Sequence, residues 1–95
     1  MAKEKAIVDK IKTVLKSRGI WVTKLHGGPT QQSGLPDLLV VLNGRACFLE
    51  VKQPGCVATP IQLHTLEQLR KAGAIAVVVT SVSEALEAIG YGGPQ

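Results

Sequence analysis

The sequence predicts an α/β domain built on a mixed sheet flanked by helices. Three observations carry that expectation. An Asn-Gly pair between two apolar runs marks a β-hairpin, a capped amphipathic stretch follows it, and residues 74–80 then form a nearly unbroken apolar run suited to a buried strand.

Residues 3–18 have helical periodicity, with Ile7, Val8, Ile11, Val14 and Leu15 on one face and lysines around the other. Gly19 is the expected stop. Glu4 shares the apolar stripe, an unusual place for a carboxylate. It either favours the helix N-terminus from solvent or turns inward toward a polar site.

Ile20 to His26 reads as a strand in which Ile20 and Val22 alternate against Trp21, Thr23 and Leu25. Trp21, the only tryptophan, is expected in the core or at a subunit contact, with base stacking a lesser option. Gly27-Gly28-Pro29 and the polar run Thr30 to Ser33 then form the longest irregular segment, able to touch a substrate together with Gly34. Lys24 and His26 at its edge either contact phosphate or are merely exposed.

Asn43 and Gly44 tolerate the positive φ of a type I′ turn, so strands are expected at 37–42 and 45–52. A two-residue loop sets Leu42 opposite Arg45 and Asp37 opposite Glu50. Directly paired side chains have Cβ atoms about 5 Å apart, where like charges destabilise. The period of two puts Lys52 on the face of Glu50. Two carboxylates and an ammonium therefore meet at the end of an otherwise apolar hairpin. Burying such charges is costly unless a cation compensates. A divalent metal is the simplest compensation, and an all-oxygen ligand set favours Mg²⁺ or Mn²⁺ over zinc. The competing reading leaves the same charges facing water, and a longer turn would shift the register.

After the Gln53-Pro54-Gly55 turn, Thr59 as N-cap, Pro60 at the first helical position and Gln62 form a capping-box start. The helix continues through Leu63, Leu66 and Leu69 and ends near Gly73. Gln62 has a sufficient task as the return partner of the box, yet it shares a face with Leu66 and Leu69 and could point at the acids. A helix between strands implies a right-handed crossover, which makes the strand at 74–80 parallel to that at 45–52. Ser81 and Glu84 form a second capping box, opening a short helix to about Ile89. Residues 1–90 are expected to form one domain and 91–95 a loose tail.

Ninety-five residues suffice for one core and leave little for a second module. The formal charge of +4 is unevenly spread, because residues 1–24 carry seven Lys or Arg against two acids. That basic end suits a polyanion, though lysine-rich surface helices are common in small soluble proteins. No apolar run is long enough to span a membrane. No apolar signal segment follows the basic first residues, so the chain is expected inside the cell with two free thiols, Cys47 in the core and Cys56 in a loop. Their spacing, without a nearby His, lacks a zinc pattern.

Gly34-Leu35-Pro36-Asp37, then Glu50-Val51-Lys52, then Gln62 near a helix start, resembles the PD-(D/E)xK nuclease signature. More narrowly it resembles the virus-type replication-repair nuclease (VRR-NUC) domain, and the likeness extends over nearly the whole chain. The resemblance implies a restriction-endonuclease-like αβββαβ core and metal-dependent cleavage of DNA. It implies catalytic roles for Asp37, Glu50, Lys52 and Gln62, and Mg²⁺ or Mn²⁺ held by Glu4, Asp37, Glu50 and the Val51 carbonyl. The metal would lower the pKa of a bound water and neutralise charge on the phosphodiester. Lys52 would orient that water or stabilise the transition state. Lys24, His26, Ser33 and Gly34 are the candidate nucleic-acid contacts.

Small stand-alone members resemble homodimeric Holliday-junction resolvases of DNA recombination and repair, which implies branched DNA and a second copy as partners, no membrane, and a cytoplasmic setting in a bacterial or phage-infected cell. A C2 dimer would supply the two sites a junction requires. The first helix, the apolar strands and Trp21 are candidates for its surface. Flap cleavage with the same chemistry, and a non-catalytic nucleic-acid-binding module, remain open.

Overall fold

The computed structural model describes residues 2–25 and 33–92. Its elements are α1 (Ala2–Ser17), β1 (Trp21–Lys24), β2 (Leu38–Leu42), β3 (Arg45–Val51), α2 (Pro60–Lys71), β4 (Ile75–Val79) and α3 (Val82–Ala88). The strands form one sheet in the order β1-β2-β3-β4, antiparallel through β3, with β4 parallel to β3. This is the mixed sheet and the helix placement that the sequence predicts.

The hairpin holds the expected register, with Leu42 opposite Arg45 and Leu38 opposite Leu49. Asn43 and Gly44 both have positive φ, 54° and 77°, as a type I′ turn requires. The regular strands stop one residue short of each expected end. Asp37 and Lys52 nevertheless stay tied to the sheet, Asp37 N–H donating to Leu49 O at 3.1 Å and Lys52 N–H to Val79 O at 3.0 Å.

One face of the sheet carries the main core. Val8, Ile11 and Leu15 of α1 and Ala85 and Ile89 at α3 pack on Val22, Leu38, Val40, Cys47, Leu49, Val51 and Val79. The periodicity of residues 3–18 thus sets which stripe of α1 is buried. Cys47 is fully enclosed, and burial raises its thiol pKa, so it is an inert core residue.

The other face is covered by α2, which packs on β4 and β3 and buries Leu66. Its Arg70 guanidinium donates to Ala76 O at 2.7 Å, fastening the last turn to β4. Because α2 lies to one side, it does not reach the β1–β2 half of this face. That half of the face is left open, and Val41 is 39% exposed. Its cross-strand partner Trp21 is 57% exposed, which excludes the core among its expected places and leaves the subunit contact. Leu63 is 51% exposed, because it lies about 100° around the helix from Gln62 and about 160° from the buried Thr65.

The strand at β4 is only partly enclosed at Ile75, Val77 and Val78, as befits a strand at the sheet edge. At α3 the Ser81 hydroxyl accepts from Glu84 N–H at 3.1 Å, but the Glu84 carboxylate takes Thr80 N–H and hydroxyl rather than the cap's own N–H. The second capping box is thus half formed. Tyr91, expected in the tail, packs on the core beneath the Arg18 guanidinium, 5.3 Å from the ring centroid. His26 and the rest of the segment 26–32, like residues 93–95, lie outside the described residues.

Candidate active site

The hairpin register brings Asp37 and Glu50 together where β2 begins and β3 ends. Asp37 is fixed on both sides: its backbone carbonyl accepts from Leu25 N–H at 2.8 Å, and its carboxylate Oδ2 accepts from Val51 N–H at 2.8 Å. That last bond crosses the hairpin and aims the carboxylate at the end of β3.

Glu50 is 2% exposed, an extreme position for a carboxylate. Its Oε2 accepts from Gln62 Nε2 at 3.2 Å and lies 3.8 Å from Lys52 Nζ. Its Oε1 is buried without a hydrogen-bond partner. The Glu50 pKa is pushed up from 4.5 to about 8. Burial is the main cause, the neighbouring Asp37 carboxyl adds to it, Lys52 opposes it, and the Glu4 charge raises it a little further.

Gln62 performs both tasks that the sequence leaves open. Its Oε1 accepts from Thr59 N–H at 2.9 Å while its own N–H donates to Thr59 Oγ1 at 3.2 Å, completing the capping box. Its Nε2 is left to hold Glu50. A single side-chain amide joins the start of α2 to the buried acid.

The structure therefore gathers Asp37, Glu50, Lys52 and Gln62, with Val51 supplying a backbone donor. Glu4, in the first turn of α1 and half-buried, is near enough for its charge to act on Glu50. Among the described residues, no three His, Cys, Asp or Glu side chains converge tightly enough to form a metal-ligand group, so the acid cluster is a pair. Lys24, half-buried, ends β1 opposite Leu38, one residue from Asp37. Ser33 is exposed and Gly34 occupies the turn leading into Leu35-Pro36-Asp37. His26 cannot be placed, lying outside the described residues.

Two residues of this region escape a reading of the sequence, Ile61 and Thr65. A Cβ on Gly34 would lie 2.5 Å from Ile61 Cγ2, 2.9 Å from Ile61 O and 2.9 Å from Thr65 Oγ1. Their helical spacing is the only sequence signal they give, and it does not say what they face.

No family model matches the sequence, and no curated protein does. Solved structures do match. The chain is similar to a VRR_NUC domain with a TM-score of 0.78 and 34% identity, over 96% of this chain and 98% of the other. A VRR_NUC domain protein shares the fold at a TM-score of 0.68 and 22% identity, over 86% and 84% of the two chains. With a pair of acids, a lysine and a glutamine assembled on that fold over its whole length, the chain belongs to the VRR_NUC domain family and is a nuclease-type domain.

Proposed function

We propose that this protein is a Mg²⁺- or Mn²⁺-dependent endonuclease that cuts branched DNA, acting as a homodimeric Holliday-junction resolvase. The observation that carries the reading is the buried Glu50 carboxyl, paired with Asp37 and left with one oxygen unpartnered. A structural carboxylate in such a place would be satisfied or replaced. A hard cation taking oxygen ligands accounts for both features, and the donor chemistry fits Mg²⁺ or Mn²⁺. Asp37 and Glu50 would hold it, with Glu4 and the Val51 carbonyl as further oxygen donors. When bound, such an ion supplies Lewis-acid activation of water and neutralises charge developing on a phosphodiester.

The remaining residues prepare that site. Val51 N–H occupies Asp37 Oδ2 and orients the carboxylate. Gln62 occupies Glu50 Oε2, so that Oε1 is the oxygen presented. Lys52, whose ammonium lies 3.8 Å from Glu50 Oε2, serves as an electrostatic stabiliser or water-orienting donor. Lys24, Ser33 and Gly34 line the approach proposed for the DNA backbone, with His26 a further candidate contact from the sequence, and the basic first 24 residues add a sequence-independent attraction to phosphate.

Labelled four-way junction, 5′-flap, duplex and single-stranded DNA, incubated with Mg²⁺ or Mn²⁺, test this reading against an Asp37→Ala control. Symmetric nicks at the junction, absent from the control, are expected. Preferential flap cutting would keep the chemistry and change the role. The gathering of only two acids among the described residues favours a second reading, a non-catalytic DNA-binding module. Metal-independent binding with no cutting of any substrate would establish it.

A further inference from the structure

The loop that carries Asp37 rests on the helix that carries Gln62 through Gly34. The contact with Ile61 and Thr65 is close enough that no larger residue fits without a shift, and Gly34 has φ +80°, a conformation that L side chains rarely adopt. Ile61 and Thr65 are one turn apart on α2 and bracket Gln62 in sequence. Thr65 is buried, and its hydroxyl donates to Ile61 O at 3.1 Å, which fixes the rotamer that meets Gly34. Between Gly34 and Asp37 stand only Leu35 and the buried Pro36. Proline fixes its own φ and restricts the residue before it, so a displacement at Gly34 passes to Asp37 rather than being absorbed.

We propose that Ile61 and Thr65 are positioning residues that seat Gly34 and thereby set Asp37 against Gln62 and Glu50. Neither is a catalytic residue; each acts through the groups it places. The inference rests on the nuclease reading of the Asp37–Glu50 pair and adds two residues that its motif does not contain. The seat and the capping box brace the same two turns of α2, one from the loop side and one from the helix start. Together they make the relative placement of the two acids depend on side chains outside the hairpin.

The test is Thr65→Leu, which crowds the seat, beside the conservative Thr65→Ser and a remote control, Ile89→Ala, which weakens the core at the end of α3. In metal-free, ¹⁵N-labelled protein shown to be folded by circular dichroism, the Gln62 side-chain amide resonances are expected to move in Thr65→Leu and stay in place in the other two. Mn²⁺ affinity by calorimetry is expected to fall about tenfold or more in Thr65→Leu, the range typical of lost supporting contacts, and to be kept in Thr65→Ser and Ile89→Ala. Unchanged Gln62 resonances in folded Thr65→Leu, or an equal shift in Ile89→Ala, would overturn the proposal. Should Thr65→Leu not fold, Thr65→Val exchanges only the hydroxyl for a methyl; a smaller resonance shift in the same direction is expected, and none would overturn it. Wild-type protein that binds no Mn²⁺ would defeat the nuclease reading instead, and the metal-free resonances would still decide the positioning role.

Discussion

Chelating divalent ions should make this protein lose stability as the pH rises, and Glu50→Gln should remove the loss. Glu50 has an ordinary pKa of 4.5 when unfolded and about 8 when buried beside Asp37. The folded state therefore binds this proton more tightly than the unfolded chain. Below pH 4.5 the carboxyl is protonated in both states, and its contribution is complete. Between 4.5 and 8 the unfolded chain has lost the proton while the folded chain keeps it, so stability falls by about 1.4 kcal/mol per pH unit. Across the whole window the loss approaches roughly 5 kcal/mol as an upper bound, comparable with the total stability of a small domain. Because Glu50 is almost fully enclosed, solvent screening removes little of it. The amide of Glu50→Gln does not titrate and can still accept from Gln62.

Urea unfolding in EDTA at pH 5, 7 and 9 measures both proteins. They should be close in stability at pH 5, and the variant should be the more stable by several kcal/mol at pH 9. Parallel pH profiles, or a wild type that gains on the variant as pH rises, would refute the assignment of Glu50 as the strained group.

Adding Mn²⁺ at pH 8 should raise the melting temperature of the wild type but not of Asp37→Ala, with a gain of about 2.7 kcal/mol at a hundredfold excess over Kd. Thr59→Ala deletes the hydroxyl that caps α2 and should cost about 1 kcal/mol in urea unfolding; no loss would mean the cap is idle. Ile11→Ala opens the core where α1 meets the sheet and should cost about 2–5 kcal/mol. Trp21→Ser, at an exposed position, should cost no more than about 1 kcal/mol, and acrylamide should quench the native Trp21 fluorescence readily. Strong protection of Trp21 from quencher would show its face covered in solution.

What could be read in advance depended on how local its cause was. Asn43-Gly44 dictates its own turn, the turn dictates the register, and the register alone places Asp37 beside Glu50 and Lys52. Thr59, Pro60 and Gln62 announce the start of α2 within four residues, and the crossover rule makes β4 parallel. Both tasks of Gln62 were visible as alternatives, but that one amide performs them together depends on where α2 sits against β3. The exposure of Trp21 and Val41 depends on how far α2 extends across the sheet, which no periodicity records. The seat of Gly34 on Ile61 and Thr65 joins segments some thirty residues apart and leaves no pattern in either.

The group that forms the site has a further property in how the chain reaches it. Asp37, Glu50, Lys52 and Gln62 all lie within the hairpin and the first turn of the helix after it, and the bond from Val51 N–H to Asp37 closes across a two-residue turn. Short loops lose little entropy on closing, and local contacts form fast. The acids should therefore meet early in folding, before α1 brings Glu4 from a position more than thirty residues earlier in the chain. The unfavourable proximity of two carboxylates is met at the start of the folding route, where a proton on Glu50 eases it. Refolding of the metal-free chain should consequently be faster at pH 6 than at pH 9.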